Sequence, residues 1–390
     1  MQKFGISSTY PEGALMRLAT WLSSRNQLEH LWMPSRRVGR TAAALMALSA
    51  RGRETSRRLA RFGYLPETRE VLPAMEIRRM VARTGLTSYD HFAETVRFDE
   101  YVASHLKGDI DILIGMPLAS AATFRASRAA NVFHEVNATP RHHNRQLLAY
   151  YPKTEVAHEL HSDEYISRVE GELLSADAVL SPSSLVSRQL AEVGIDSDRI
   201  IQVPYGVDIE LFGTPPDGFG RRREGVPRLL YVGQISRRKG IPFLVQAARA
   251  TSFHLTLAGP IVEQELLAVL PENVDYVGTV SRHRLRELLW QHDAFVFPSI
   301  EDNFGLAVLE AASAGLPVIT TTEVGSAEGL IDADIIQPGS VGELRESCSR
   351  VQPLSPDDQQ SRALQFASME SDRGWDAYCE KVTAALIRKF

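Results

Sequence analysis

The chain has 390 residues, 44% hydrophobic and 23% charged, with 26 glycines and 20 prolines. That composition excludes collagen-like, disordered and coiled-coil classes, and at about 150 residues per domain the length suggests two domains. A formal charge of −5 and only two cysteines, Cys348 and Cys379, exclude a field-driven nucleic-acid binder, a disulfide framework and a thiolate zinc site, and fit a reducing cytosol.

In chain order, KFGIS reads as a first strand, and Pro11 and Glu12 follow before any apolar signal-peptide core is built, so no export signal is expected. In STYPEGALMRLATWL, Gly13 ends a loop and opens a helix, either as a plain turn or as a point of close approach to a ligand. LEHLWMPS is a second strand. From Ser35 to Arg61, eight arginines and one glutamate give +7 around TAAALMALSA, a ten-residue apolar run well short of the roughly 20 needed to span a bilayer. This segment 35–61 is expected either to rest on an anionic membrane and draw in a phosphorylated lipid-linked acceptor, or to be a solvated basic surface. IDILIG, NVFHEV, AVLSPS and IIQVPYG continue the strand rhythm of a first α/β domain, assigned to residues 1–213. His134 ends the NVFHEV strand, with His142 and His143 close behind; their spacing is not that of a metal site, and ordinary polar histidines are the alternative. The Gly-, Pro- and charge-rich stretch around 214–225 marks the domain connection.

The second half is clearer. RLLYVG, FHLTLAG, VDYVG, AFVFPS and PVIT are strands, separated by FLVQAARA, QELLAVL, RHRLRELLWQH and LAVLEAASA, whose apolar residues recur at helical spacing. Two loops carry chemistry. VGQISRRKG places Arg237, Arg238 and Lys239 just past a strand, a phosphate-binding arrangement or else a solvated basic turn. IEDNFGLAVLEAASAG places Asp302 in a polar loop, Gly305 and Leu306 at a helix start whose free N–H groups attract anions, and Glu310 eight residues after Asp302. The plain alternative is that Asp302 caps the helix and Glu310 is a surface residue. Positive charge on one loop, with carboxylates and a helix start on another, suits a nucleotide diphosphate joined to a polyol.

These segments, together with VEGELLSADAVLSPSS (Val169–Ser184) and VPYGVD (Val203–Asp208), resemble the family-four retaining glycosyltransferases of the GT-B fold, glycosyl transferases group 1. The likeness runs in order from Arg168 to Phe390; the first 130 residues resemble the family only in outline. It implies two Rossmann-like α/β domains facing across a cleft, with the donor in residues 214–368 and the acceptor mainly in 1–213. A C-terminal helix, 369–390, with Trp375 and Tyr378, would pack back on the first domain. It implies transfer of a sugar from a UDP- or GDP-sugar to a glycan, glycolipid or small-molecule hydroxyl, with no cofactor, no metal and no carboxylate nucleophile. Carried onto this chain, Gly233, Arg238 and Lys239 would meet the diphosphate, and Asp302 the sugar hydroxyls. Phe304, Gly305 and Leu306 would meet sugar and phosphate through backbone, Glu310 the ribose, and Val277 and Gly278 the base. Gly13 would abut the donor phosphate and His134 would serve catalysis in the cleft with Asp302 and Glu310. The chain departs from the family pattern at Asp302, often Glu, and at Gln234, often Arg. A nucleotide-sugar isomerase, a phosphorylase and a non-catalytic binding protein on the same fold are the alternatives. A two-lobed solute-binding protein is set aside, because it would need export.

Overall fold

Strands that read as continuous apolar runs are buried on both faces, which in a parallel sheet requires a layer of helices on each side. The computed structural model has this architecture twice. It describes every residue except 10–12, 35–64, 72–74, 76–77, 79–80, 83–88, 136, 215–224, 250, 331 and 370. The basic segment 35–61 and most of the expected domain connection therefore lie outside the described residues.

The first sheet contains β1 (Phe4–Ser7), β2 (Leu28–Pro34), β3 (Thr68–Val71), β4 (Ile112–Gly115), β5 (Ala130–His134), β6 (Ala178–Ser181) and β7 (Ile200–Gln202). Their order is β3-β2-β1-β4-β5-β6-β7, every pairing parallel. The second sheet contains β8 (Arg228–Val232), β9 (His254–Ala258), β10 (Val274–Tyr276), β11 (Ala294–Phe297), β12 (Val318–Thr321) and β13 (Ala333–Ile336), in the order β10-β9-β8-β11-β12-β13, again all parallel. In each sheet the order reverses once, between β1 and β4 and between β8 and β11. Open α/β sheets leave a crevice at such a point, beyond the carboxyl ends of the strands.

β3 and β13 were not expected from sequence; TREV and ADII are short, charged and lie at sheet edges. QELLAVL contracts to a 3-10 turn, Gln264–Leu267, and Pro271 disfavours helical geometry at Leu270 beyond it.

The helix Trp375–Lys389 packs on the helix Ala14–Ser24, so the two ends of the described chain close one layer. Tyr378, Cys379, Val382 and Leu386 are buried there, each apolar side chain worth about 1.5–3 kcal/mol. Val207 bridges Gly374, which ties the VPYGVD segment to the approach of this helix. Both cysteines are buried free thiols. No helix among the described residues is long and apolar enough to cross a membrane.

Candidate functional site

The loops after β8 and β11, neighbours at the reversal point of the second sheet, meet through glycine. Gly240 has φ +72°, and a Cβ there would lie 2.0 Å from the Pro298 carbonyl oxygen, so only glycine lets the basic turn pack against the acidic one. Gly233 follows β8 in similar confinement, where a Cβ would meet the Tyr231 hydroxyl at 2.5 Å. The contact seats Lys239 Nζ 2.6 Å from Asp302 Oδ2 and 3.4 Å from the Glu301 carbonyl oxygen, both side chains largely buried. Burial, then the charge of Arg238, push the Lys239 ammonium below its ordinary range, against the pull of Asp302 and Glu301.

Arg238 donates from Nε to Glu159 (3.1 Å) and from one terminal nitrogen to Gln234 Oε1 (2.9 Å), while the other lies 3.4 Å from Glu301 Oε2. Burial works against its charge, but Glu301, Asp302 and Glu159 outweigh it and raise its pKa. Glu301 takes His143 Nδ1 at 2.8 Å. Burial disfavours its ionised form, yet the His143 bond and the charges of Arg238, His143 and Lys239 hold its carboxyl well below the usual range. Arg237 pairs with Glu155 (3.0 Å), Glu263 and Glu265. The three cations of this turn therefore face six carboxylates among the described residues. His158, Glu159 and Glu263 bring ligand atoms within 4.8 Å of one another, but Arg237 and Arg238 already hold two of the three.

The acidic loop is held at both ends. Asp302 Oδ1 accepts from the Phe304 N–H, and the Asp302 N–H donates to the Glu323 carbonyl. Gly305 precedes the helix Leu306–Ser313 at φ +79° with no side-chain cap, so the first N–H groups of that helix are not taken by a capping side chain. A Cβ on Gly305 would lie 2.7 Å from Val324 Cγ1. Phe304 is buried with its ring edge-on to Tyr205, and Leu306 is exposed. Glu310, one turn further, lies 4.0 Å from Arg282, which is 3.3 Å from Asp208; Asp208 in turn is 3.7 Å from Arg17 on the first domain. Val277 is exposed after β10, and Gly278, at φ +80°, has nothing within 4 Å of a notional Cβ.

On the first domain, Gly13 has φ +83° and open space before it, at the start of the Ala14–Ser24 helix that follows β1. His134 is 1% exposed; Nε2 lies 3.0 Å from the Tyr378 hydroxyl, its ring stacks on Tyr205, and burial pushes its pKa down to about 4. His142 reaches Glu323 of the second domain at 2.8 Å. Ser183 donates to the Asn303 carbonyl, and Glu328 accepts from Ser184 N–H, Ser184 Oγ and Leu185 N–H, a carboxylate at the N-terminus of the helix Ser184–Val193.

Residues 226–352, which carry both loops, match the family glycosyl transferases group 1. Over these residues the chain is similar to the group 1 glycosyltransferases. A glycogen synthase of Mycobacterium tuberculosis is 30% identical over 169 residues, 40% of each chain. A D-inositol 3-phosphate glycosyltransferase of Nocardia farcinica is 26% identical over 303 residues, 69% of this chain and 65% of that one. The matched stretch thus spans less than two thirds of either relative. Among solved structures, Anabaena HepE in complex with UDP and glucose aligns over the full length of both chains at TM-score 0.63 and 15% identity. Sucrose-phosphate synthase from Thermosynechococcus elongatus aligns over 100% of this chain and 99% of its own at TM-score 0.68 and 16% identity. The fold is GT-B, two Rossmann-like domains.

Within the glycosyltransferase domain the structure joins Arg238, Lys239, Asp302, Phe304 and Gly305 in one contact group and sets Glu310 on the adjoining helix beside Arg282. His134, with Tyr378, reaches this group only through Tyr205, whose ring stacks on His134 and meets Phe304 edge-on. Sequence reasoning missed Glu159, Glu301, Arg282 and Asp208. Glu301 stands next to Asp302 and could have been weighed with it, whereas Glu159 sits in the other domain, 79 residues from Arg238, with no local signal.

Proposed function

We propose that the chain transfers a sugar from a nucleotide diphosphate sugar, UDP-linked or GDP-linked, to a hydroxyl of a glycan, glycolipid or small molecule, with retention of configuration and without a metal ion. The observation that carries this reading is the meeting of Lys239 and Asp302 at the reversal point of the second sheet, beside the uncapped helix start at Gly305. The full-length likeness to a structure bound to UDP and glucose supports a UDP-sugar as the first donor to try.

In this reading the diphosphate lies against the N–H groups after Gly305, within reach of Lys239 and Arg238. Those groups stabilise the charge that grows on the leaving phosphate as the glycosidic bond breaks. Asp302 accepts from a sugar hydroxyl, and Glu310, steadied by Arg282, accepts from the ribose. Val277 and Gly278 flank the base. The acceptor hydroxyl attacks from the face the leaving group departs, and a phosphate oxygen takes its proton, so no carboxylate nucleophile is needed, unlike in two-carboxylate glycosidases. His134 is proposed to act at the cleft side of β5 through Tyr378 and Tyr205. Peripheral contact of segment 35–61 with anionic lipid is a further part of the proposal, checked by vesicle sedimentation at low salt.

Incubation with UDP-glucose, other UDP-sugars and GDP-mannose should give nucleoside diphosphate release that depends on an added acceptor, with a new glycoside of the donor's anomeric configuration. An altered nucleotide sugar formed without acceptor would replace this reading with isomerisation. Donor binding with no product from any acceptor class would leave a binding protein.

A further inference from the structure

Arg238 and the carboxylates around it come from different domains. Arg238, Gln234 and Glu301 belong to the second; Glu159 belongs to the first, in the segment between the helices Lys153–Val156 and Asp163–Ser175. A guanidinium has five N–H donors and no acceptor, so each anion near it is a counterion. Of the partners of Arg238, Glu301 is fixed: it is 4% exposed and bound to His143, and its backbone carbonyl accepts from Ser299. Gln234 is four residues away in the same turn. Glu159 is held least. Oε2 accepts from Arg238, while Oε1 is buried with no hydrogen-bond partner among the described residues, an unfavourable state for a carboxylate oxygen.

The charge balance leads the same way. Six carboxylates already face three cations around the turn, and a diphosphate added to that set would bring further negative charge into a poorly solvated place. Exchange of one carboxylate for the diphosphate limits that repulsion. Among the carboxylates paired with Arg238, Glu159 alone is carried by the other domain and can withdraw with it.

We propose that Glu159 is a counterion of Arg238 that the donor diphosphate displaces, so that donor entry releases one ionic contact between the two domains. This rests on the donor site proposed above. The group recognised is the diphosphate itself, whatever the base or sugar.

The test is calorimetric titration of the full chain with UDP and, separately, with inorganic pyrophosphate, at one ionic strength. Glu159→Gln keeps the shape and removes the competing charge, and should bind both probes about ten-fold more tightly than the parent. Glu155→Gln removes a half-exposed carboxylate from Arg237 and should stay within about two-fold, as expected for a screened surface pair. Stoichiometry near one identifies folded protein, and Glu159→Ala supplies the reading should the isostere fall short of it. Equal or weaker binding by the Glu159 variant overturns the inference alone, and so does equal tightening by Glu155→Gln. Absence of binding of both probes to every variant overturns the donor site and the inference together.

Discussion

Lys239 and Asp302 form a close pair at 2.6 Å with side chains only 9% and 13% exposed, so little solvent screens them. Replacing Lys239 by Met leaves Asp302 with a single N–H donor, from Phe304 at 3.3 Å. Breaking one half of a buried pair costs about 3–5 kcal/mol, mostly as the penalty of an uncompensated charge. Asp302→Ala should cost a comparable amount, because among the described residues Lys239 then keeps only the distant Glu301 carbonyl as a hydrogen-bond acceptor. In the double variant neither charge remains. Its loss should fall short of the sum of the single losses by about 1–3 kcal/mol, the coupling expected of groups in direct contact. Urea unfolding of the parent and three variants gives the cycle, provided the slopes agree. In parallel, UDP titration should show that Lys239→Met weakens binding by at least about ten-fold, since a charged donor to phosphate is worth about 1.5–3 kcal/mol. Additive single losses would refute the buried pair, and unchanged UDP affinity would refute the place of Lys239 in the donor site.

Gly305→Ala forces a side chain onto a residue at φ +79° and drives Cβ to 2.7 Å from Val324 Cγ1; thermal unfolding should show a loss of at least about 1–2 kcal/mol, and UDP affinity should fall with it. Glu310→Gln keeps the size of the side chain but weakens the bond to a ribose hydroxyl, so steady-state kinetics should show KM for the donor rising about ten-fold with kcat changed much less. Burial pushes His134 from 6.5 down to about 4, so as pH falls through this window the unfolded chain takes up the proton first and stability declines, by about 3 kcal/mol in all. Stability curves at pH 7 and pH 4.5 should diverge less for His134→Asn than for the parent. His161, which burial and then the charge of His143 also push down to about 4, contributes its own slope to both proteins.

The central strands were legible because FGIS, ILIG, AVLS, AFVF and VITT are buried end to end, and their shortness, with Gly, Ser or Pro at most of their ends, separates such runs from buried helix. TREV and ADII were not, because an edge strand pairs on one side only and can carry charge. The same contrast holds at the site. The positions of Lys239, Asp302 and Gly305 follow from strand-loop-helix order, which is local. What neutralises the basic turn is not local: His143 and Glu301 are 158 residues apart, and Arg238 and Glu159 lie in different domains. A run such as Arg237, Arg238, Lys239 declares its own charge, while its counterions depend on how two independently patterned halves meet.

The packing of Trp375–Lys389 on Ala14–Ser24 has a bearing on biosynthesis. The layer begun by Ala14–Ser24, whose Arg17 lies over the Trp375 ring, is finished by a segment translated after the whole second sheet, and ribosomes add about 5–20 residues per second. The nascent first half therefore waits for many seconds with one flank uncovered. Until then the flank of Ala14–Ser24 that Trp375–Lys389 covers is open to contact with other chains.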